Sequence, residues 1–134
     1  MCCLAVGCGT AYQPQSSERI SLVIRGVSPM YAKGKRVSPV GIFGDDLEAM
    51  VQDTPAAIPH ARAGRKAIAA GAPLYVGGVS FLAAGVFLLS GPIGWTVIGI
   101  GVATGGTGFA LLGHGTAEKV DAVNIHNDTV RAPP

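Results

Sequence analysis

The feature that most constrains this chain is a stretch of 51 residues, 67–117, that contains no Asp, Glu, Lys or Arg. All 18 charged residues of the 134-residue chain lie outside this stretch, and 13 of its 20 glycines lie inside it. The chain therefore consists of polar ends around a long apolar centre. We expect a mainly α membrane protein in which this centre crosses the bilayer.

The apolar centre divides into two segments of membrane-spanning length. Residues 73–90 and 93–112 comprise 18 and 20 residues, which at about 1.5 Å per residue correspond to roughly 27 and 30 Å of helix. Between them, Gly91 and Pro92 supply a helix stop and a helix start, and Tyr75 and Trp95 are placed to anchor at the interfaces. The pattern predicts a two-helix transmembrane hairpin. A buried helix pair of a soluble protein is the alternative, but the rest of the chain offers little apolar surface to cover it.

The second segment raises the question of a nucleotide site, because "GIGVATGGTGFALLGHGT" (99–116) holds seven glycines. A phosphate-binding loop needs a Lys beside Ser or Thr directly after its last glycine, whereas the next lysine here is Lys119. The dinucleotide fingerprint also fails, since Thr104 stands where its third glycine belongs. The spacing therefore predicts no cofactor.

Helix packing accounts for the glycines better. Lipid provides no hydrophobic force between helices, so close backbone contact at small residues must hold them together. The predicted packing residues are Gly77, Ser80 and Ala84 on the first span and Gly101, Thr104, Gly105 and Gly108 on the second. Gly99, Gly106 and Gly113 lie partly off this line, and we expect them to form a second surface for a homo-oligomer.

The N-terminus resembles a lipoprotein signal. In "LAVGCGT" (4–10), small residues precede Cys8 and a polar stretch follows it, as a lipid-attaching signal peptidase requires. Cys2, Cys3 and Cys8 lie too close together to staple a distant part of the fold, and no second ligand group follows at metal-site spacing. Cys8 is therefore the candidate for lipidation, and no metal site is predicted.

Four regions follow from this division. Residues 1–17 form the lipobox-like start and a tether, 18–72 a small extramembrane region, 73–113 the hairpin and 114–134 a short tail. Within the extramembrane region, we expect a short strand over 19–27 and an irregular segment over 28–44. A helix follows over 44–53, capped by Asp45, and a second runs from Thr54 to about Ala70.

The sequence contains no arrangement that indicates catalysis or nucleic-acid binding. A net charge of +2 without dense basic runs is too small for a nucleic-acid partner. The polar segment "VDAVNIHNDTV" (120–130) raises the alternative of a metal or catalytic site around His126, but no second cluster in the sequence supplies the missing ligand or nucleophile. His114 is placed as a polar residue of the membrane interface.

Two features together carry a family resemblance. The lipobox-like "LAVGCGT" and the glycine-rich pair of spans with "GVATG" resemble small bacterial envelope lipoproteins with a glycine-zipper hairpin. The resemblance implies a non-catalytic structural or scaffolding protein of the cell envelope, with the lipid bilayer and an unidentified envelope protein as partners. A small oligomeric pore or transport-accessory subunit is the alternative.

The two topology signals disagree. Arg62, Arg65 and Lys66 before the first span favour cytoplasmic termini, whereas a lipidated Cys8 requires a periplasmic N-terminus. Because a lipoprotein reaches its site after export, we expect periplasmic termini in a bacterial inner or outer membrane.

Overall fold

A computed structural model describes residues 18–26, 28–41, 46–87 and 91–131 of the chain. Helices account for 71% of these residues, and a small three-stranded sheet completes the fold. The elements in chain order are β1 (Ile20–Arg25), β2 (Ser28–Lys33), β3 (Arg36–Pro39), α1 (Leu47–Met50), α2 (Ile58–Phe87) and α3 (Gly91–Arg131).

The three strands form an antiparallel meander in the order β1-β2-β3. Each two-residue hairpin turn begins with a glycine at positive φ, Gly26 at 62° and Gly34 at 57°, as a tight turn between right-handed twisted strands requires. The strand expected over 19–27 is confirmed. The irregular segment expected over 28–44 is wrong as far as residue 39, because the glycines that suggested irregularity are turn residues between paired strands.

A small core lies between the sheet and the helices. Of the helix expected over 44–53, the described residues contain only Leu47–Met50, because the chain turns after Met50. The expected apolar face is confirmed, since Leu47, Met50 and the following Val51 are all at most 2% exposed. Ile20 and Tyr31 from the sheet and Ala57, Ala61 and Ala122 from the helical region complete the cluster. We call residues 18–66 and 118–131 the polar head. Asp45, the expected cap of α1, lies outside the described residues.

The two long helices extend beyond the predicted spans. α2 begins at Ile58 and not at the expected Thr54, because Pro59 falls in its first turn and the preceding residues form turns. It runs through Pro73 to Phe87, so the expected end near Ala70 is wrong. α3 continues to Arg131, so the described part of the tail is helical. The charged ends of both helices therefore continue the same packed pair as the apolar centre.

The charge-free parts of α2 and α3, residues 67–87 and 91–117, form what we call the apolar hairpin. Both helices are long and apolar enough to cross a membrane, and their most apolar 18-residue windows are only 22% and 11% buried within the protein. Large apolar side chains such as Phe87, Trp95 and Phe109 are 82%, 75% and 68% exposed. The fold therefore places a polar head at one end of an uncovered apolar pair.

Candidate functional site: the glycine seam and the polar head

α2 and α3 contact each other along a line of glycines that we call the glycine seam. On each helix the seam glycines recur every seven residues: Gly64, Gly71, Gly78 and Gly85 on α2, and Gly94, Gly101, Gly108 and Gly115 on α3. All eight are buried. A strict seven-residue repeat keeps one stripe facing a partner when the helices wind around each other in a left-handed supercoil.

The seam brings main chain against main chain. A Cβ atom built on Gly71 would lie 2.8 Å from the Gly108 carbonyl oxygen, and one on Gly64 would lie 2.7 Å from that of Gly115. A Cβ on Gly78 would overlap the backbone of Gly105. A methyl group at any of these positions would force the helices apart, so glycine is a steric requirement here.

The two glycine repeats face each other in register. Gly64 lies against Gly115, and each step of seven residues along α2 moves the contact seven residues back along α3, as far as Gly85 against Gly94. Large side chains cover the gaps between these contacts, with Ile68 over Gly115, Leu82 over Gly101 and Ile98 over Gly85. The register between α2 and α3 is therefore constant from the polar head to the hairpin tip, the end at which α2 stops and α3 begins.

The predicted packing residues divide into two groups. Gly101 and Gly108 are seam glycines, and Gly105 lies beside the seam, where a Cβ would make only an ordinary contact of 3.5 Å with the Gly78 Cα. Gly77 does not lie in the seam, since a Cβ there would meet no atom within 4 Å, and the prediction is corrected to its neighbour Gly78.

The other predicted packing residues contribute less to the contact. The Ser80 hydroxyl donates to the Val76 carbonyl of its own helix, while Ala84 and Thr104 are half-buried. Gly99, Gly106 and Gly113 face open space on α3. Cys8 lies outside the described residues.

The signal that would have located the whole seam is the period of seven. Four glycines at this spacing on each side of the turn predict the contact line directly, whereas the local group of small residues Gly77, Ser80 and Ala84 gives a wrong glycine on α2. The repeat also begins at Gly64, before the apolar stretch. This position links the seam to the polar head.

His126 is the central polar residue of the head and is fully buried. Its Nε2 lies 2.9 Å from the Glu18 carbonyl oxygen, and its Nδ1 lies 2.8 Å from the Thr54 hydroxyl. Because a carbonyl only accepts, Nε2 carries the proton, and in the neutral ring Nδ1 accepts from Thr54. His126 therefore ties the start of the sheet and the α1–α2 connection to α3.

This cluster has the residue types of a nucleophile and base but not the access. Thr54 is 4% exposed and both nitrogens of His126 have partners. Asp53 Oδ1 is 3.6 Å from Nδ1, which is beyond hydrogen-bond distance. The arrangement holds elements together and offers no free base to a substrate.

Asn127, the next residue of α3, holds the edge of the sheet. Its Oδ1 accepts from the Ile20 N–H at 2.7 Å, and its Nδ2 donates to the Ile20 carbonyl at 2.9 Å. The side-chain amide thus pairs with β1 as a neighbouring strand would.

A second polar contact joins the two helices where the apolar hairpin meets the head. His60 Nδ1 of α2 lies 2.7 Å from Glu118 Oε2 of α3, and His114 Nε2 lies 3.7 Å from the other oxygen of that carboxylate. One carboxylate therefore faces two histidines. The contact fixes the base of the hairpin and becomes an ion pair when His60 is protonated.

Two further ion pairs fasten α1 and the sheet. The Lys33 ammonium donates to Asp53 at 2.7 Å and to the Met50 carbonyl at 2.7 Å, and the hydrogen bond from Lys33 lowers the pKa of Asp53. Arg62 donates to Glu48 at 2.6 Å, and this bond is the main reason that the pKa of Glu48 is lowered. Both carboxylates therefore stay ionised further into the acidic range than usual.

An open groove of about 450 Å³ lies between α1 and α2. Arg62 and Arg65, which line it, both already pair with Glu48. Within the described ranges, no group of three His, Cys, Asp or Glu side chains is arranged to hold a metal ion.

Comparison with known proteins gives no relationship: no family model, curated protein or solved structure matches the chain.

Proposed function

We propose that this chain is a non-catalytic structural or scaffolding protein of the bacterial cell envelope. The apolar hairpin crosses the membrane, and the polar head is held at one membrane surface. In this proposal the hairpin anchors and orients the head, which contacts another envelope protein.

One observation carries the membrane part of the proposal. Only 22% and 11% of the most apolar windows of α2 and α3 are buried within the protein, although a core helix of a soluble protein is mostly buried. The charge-free part of α2, residues 67–87, has about 31 Å of helix at 1.5 Å per residue, which matches the hydrocarbon core of a bilayer. Exposing such an apolar surface to water costs free energy, whereas burying it in lipid does not.

Extraction of bacterial membranes with alkaline carbonate tests this step. The wild-type chain should remain in the pellet, because an inserted hairpin resists a treatment that removes peripheral proteins. A double variant, Val79→Lys with Val102→Lys, places two charges on exposed apolar positions and should shift the chain to the supernatant. The control Val37→Lys adds a charge to the exposed surface of the head and should leave the chain in the pellet. A wild-type chain in the supernatant would refute the membrane anchor.

We further propose that Cys8 carries a lipid and that the termini are periplasmic. The small residues before Cys8 support this step. Incorporation of radiolabelled palmitate should be lost in Cys8→Ala and retained in Cys2→Ala. Absence of label in the wild-type chain would refute the lipid anchor while leaving the hairpin untouched.

A small oligomeric pore or transport-accessory subunit is the second candidate. Gly99, Gly106 and Gly113 favour it, because they repeat every seven residues on α3 and face open space rather than α2. Against it, no charged residue occurs in 67–117 to line an ion path. Dye release from liposomes separates the two, since a pore releases the dye and a scaffold does not.

A further inference from the structure

The two edges of the sheet differ in whether they can accept another strand. In an antiparallel ladder, alternate residues direct both the N–H and the C=O toward the same side. On β3, Val40 donates to Pro29 of β2, so Val37 and Pro39 face away from the sheet. Pro39 has no N–H to offer, and it blocks this short edge in a way that natural sheets commonly use.

The edge of β1 has no such block. Both backbone groups of Ile20 bond to the side chain of Asn127 and not to β2. By the same alternation, Leu22 and Ile24 also direct their N–H and C=O groups away from β2. Two hydrogen-bonding residues are thus presented at this edge beyond the single position that Asn127 covers.

The side chains at the same positions are apolar and exposed. Leu22 is 65% exposed and Ile24 is 71% exposed. Both lie on the face of the sheet that carries the buried Ile20 and Tyr31, because alternate residues of a strand share a face. Adding a strand here would therefore satisfy backbone groups and cover apolar side chains together.

We propose that the edge of β1 pairs with β1 of a second copy of this chain. Ile20 is not available to a partner strand, because its backbone groups bond to Asn127. The register that uses only the remaining positions sets Leu22 opposite the partner's Ile24 and Ile24 opposite the partner's Leu22. Each pair exchanges two backbone hydrogen bonds, and four exposed apolar side chains become neighbours.

The positions of the exposed side chains support this occupant and this register. A shift that paired Leu22 with the partner's Leu22 would set Ile24 against Ile20, whose backbone groups Asn127 already occupies. A shift that paired Ile24 with the partner's Ile24 would set Leu22 against the turn residue Gly26. Only the proposed register pairs both exposed apolar residues of each copy, so the strand is self-complementary in the way that an isologous two-fold interface requires.

The pairing depends on the proposed membrane anchor. Two strands with two apolar side chains each bury much less than the roughly 800 Å² per partner of a standard interface. Confinement of both copies to one bilayer raises their effective concentration and compensates for the small area.

Disulfide trapping tests the register. In the proposed pairing, Val23 lies opposite the partner's Val23 at a non-hydrogen-bonded position, where Cα atoms are about 4.5 Å apart and a disulfide can form. The experiment uses the full chain with Cys2, Cys3 and Cys8 replaced by Ser, reconstituted in liposomes and oxidised. Val23→Cys should give a covalent dimer, and the control Val37→Cys, on the blocked edge, should give at least tenfold less.

A second variant tests whether the disulfide at Val23→Cys reports the proposed pairing of β1 edges. Leu22→Lys with Ile24→Lys places like charges on the edge, and in the Val23→Cys background it should reduce the dimer at least tenfold. Because both side chains are already exposed, the fold of the head should be retained, as judged by circular dichroism.

Flotation of the same liposomes is scored separately. A chain that floats but stays monomeric, or crosslinks equally at Val37→Cys, overturns the strand pairing alone. An edge that takes an extended segment of a different protein would also leave Val23→Cys monomeric. A chain that does not float overturns the membrane anchor and, with it, the confinement on which the pairing depends.

Discussion

The apolar hairpin and the polar head are held together by different physics. In the hairpin, glycines bring two backbones into contact, and the side chains that point outward remain largely uncovered. In the head, a small apolar core is joined by side-chain hydrogen bonds between residues more than 70 positions apart, such as Thr54 and His126. One pair of helices thus relies on the absence of side chains at one end and on specific side chains at the other.

The largest effect is expected from His126→Ala. The change leaves the Thr54 hydroxyl and the Glu18 carbonyl without their partner and opens a cavity in the head. We expect a loss of about 3 kcal/mol from the stability of the head, since an unsatisfied buried polar group costs roughly 1–3 kcal/mol. Hydrogen exchange of the β1 amides should accelerate, while amides in 95–110 should not change. Faster exchange in both regions would show that the head and the hairpin form one cooperative unit.

The second-largest effect is expected on the stability of the hairpin, where the neighbours Gly77 and Gly78 form a matched pair. Gly78→Ala forces a methyl group into the Gly105 backbone and should destabilise the hairpin by about 1–3 kcal/mol. Gly77→Ala places the same group in open space and should be neutral or slightly stabilising, because alanine favours a helix more than glycine does. Unfolding in mixed micelles, followed by the fluorescence of Trp95, measures both. Equal effects would contradict the seam.

A similar comparison separates the two glycines of G-x-x-x-G on α3. A Cβ on Gly101 would lie 2.8 Å from the Leu82 backbone nitrogen, whereas one on Gly105 meets nothing closer than 3.5 Å. Gly101→Ala should therefore destabilise the hairpin, and Gly105→Ala should change its stability by less than about 0.5 kcal/mol. The same unfolding assay decides this, and the opposite ranking would show that the register between α2 and α3 is different.

Some of these features can be predicted from the sequence and others cannot. The charge-free stretch and the Gly91–Pro92 turn predict two long apolar helices, because length and composition alone decide that property. Gly101, Gly105 and Gly108 could be found from local spacing. Gly78 could not be separated from Gly77 in this way, since a single pair of small residues does not fix which side of a helix faces its partner.

The head was harder to predict, because its contacts join distant parts of the chain. Nothing near His126 in the sequence indicates that Thr54 and Glu18 are its partners. The β2–β3 hairpin was missed for a different reason: Gly34 and Pro39 suggest an irregular segment, although one is a turn residue and the other ends an edge strand. The burial of β2 does not alternate either, since the neighbours Tyr31 and Ala32 are both buried, so the usual strand pattern is missing from this segment.

The smallest expected effect is the dependence of the head on acid pH. Lys33 lowers the pKa of Asp53, and Arg62 lowers that of Glu48, so both carboxylates stabilise the head when ionised. This contribution is fully present above the pKa of the carboxyl groups in the unfolded chain, about 4. It is lost as the pH falls through the lowered pKa in the folded chain.

Asp53 is half exposed, so its share should be below about 1 kcal/mol. Asp53→Asn should therefore flatten the acid limb of a plot of head stability against pH, while Asp128→Asn serves as an exposed control. If the acid limb is as steep in Asp53→Asn as in the wild-type chain, groups other than Asp53 cause the acid sensitivity.

We propose that the apolar hairpin crosses a membrane with the head on one side. This proposal is tested most directly by single cysteines in the cysteine-free chain, reacted with a membrane-impermeant maleimide in sealed vesicles of known orientation. We predict that Lys35→Cys in the head and Pro92→Cys, at the start of α3 where the hairpin turns, react only from opposite sides. Ala103→Cys, within α3, should react only after the membrane is dissolved. Labelling of the head and the tip from the same side, or of Ala103→Cys in sealed vesicles, would contradict the account.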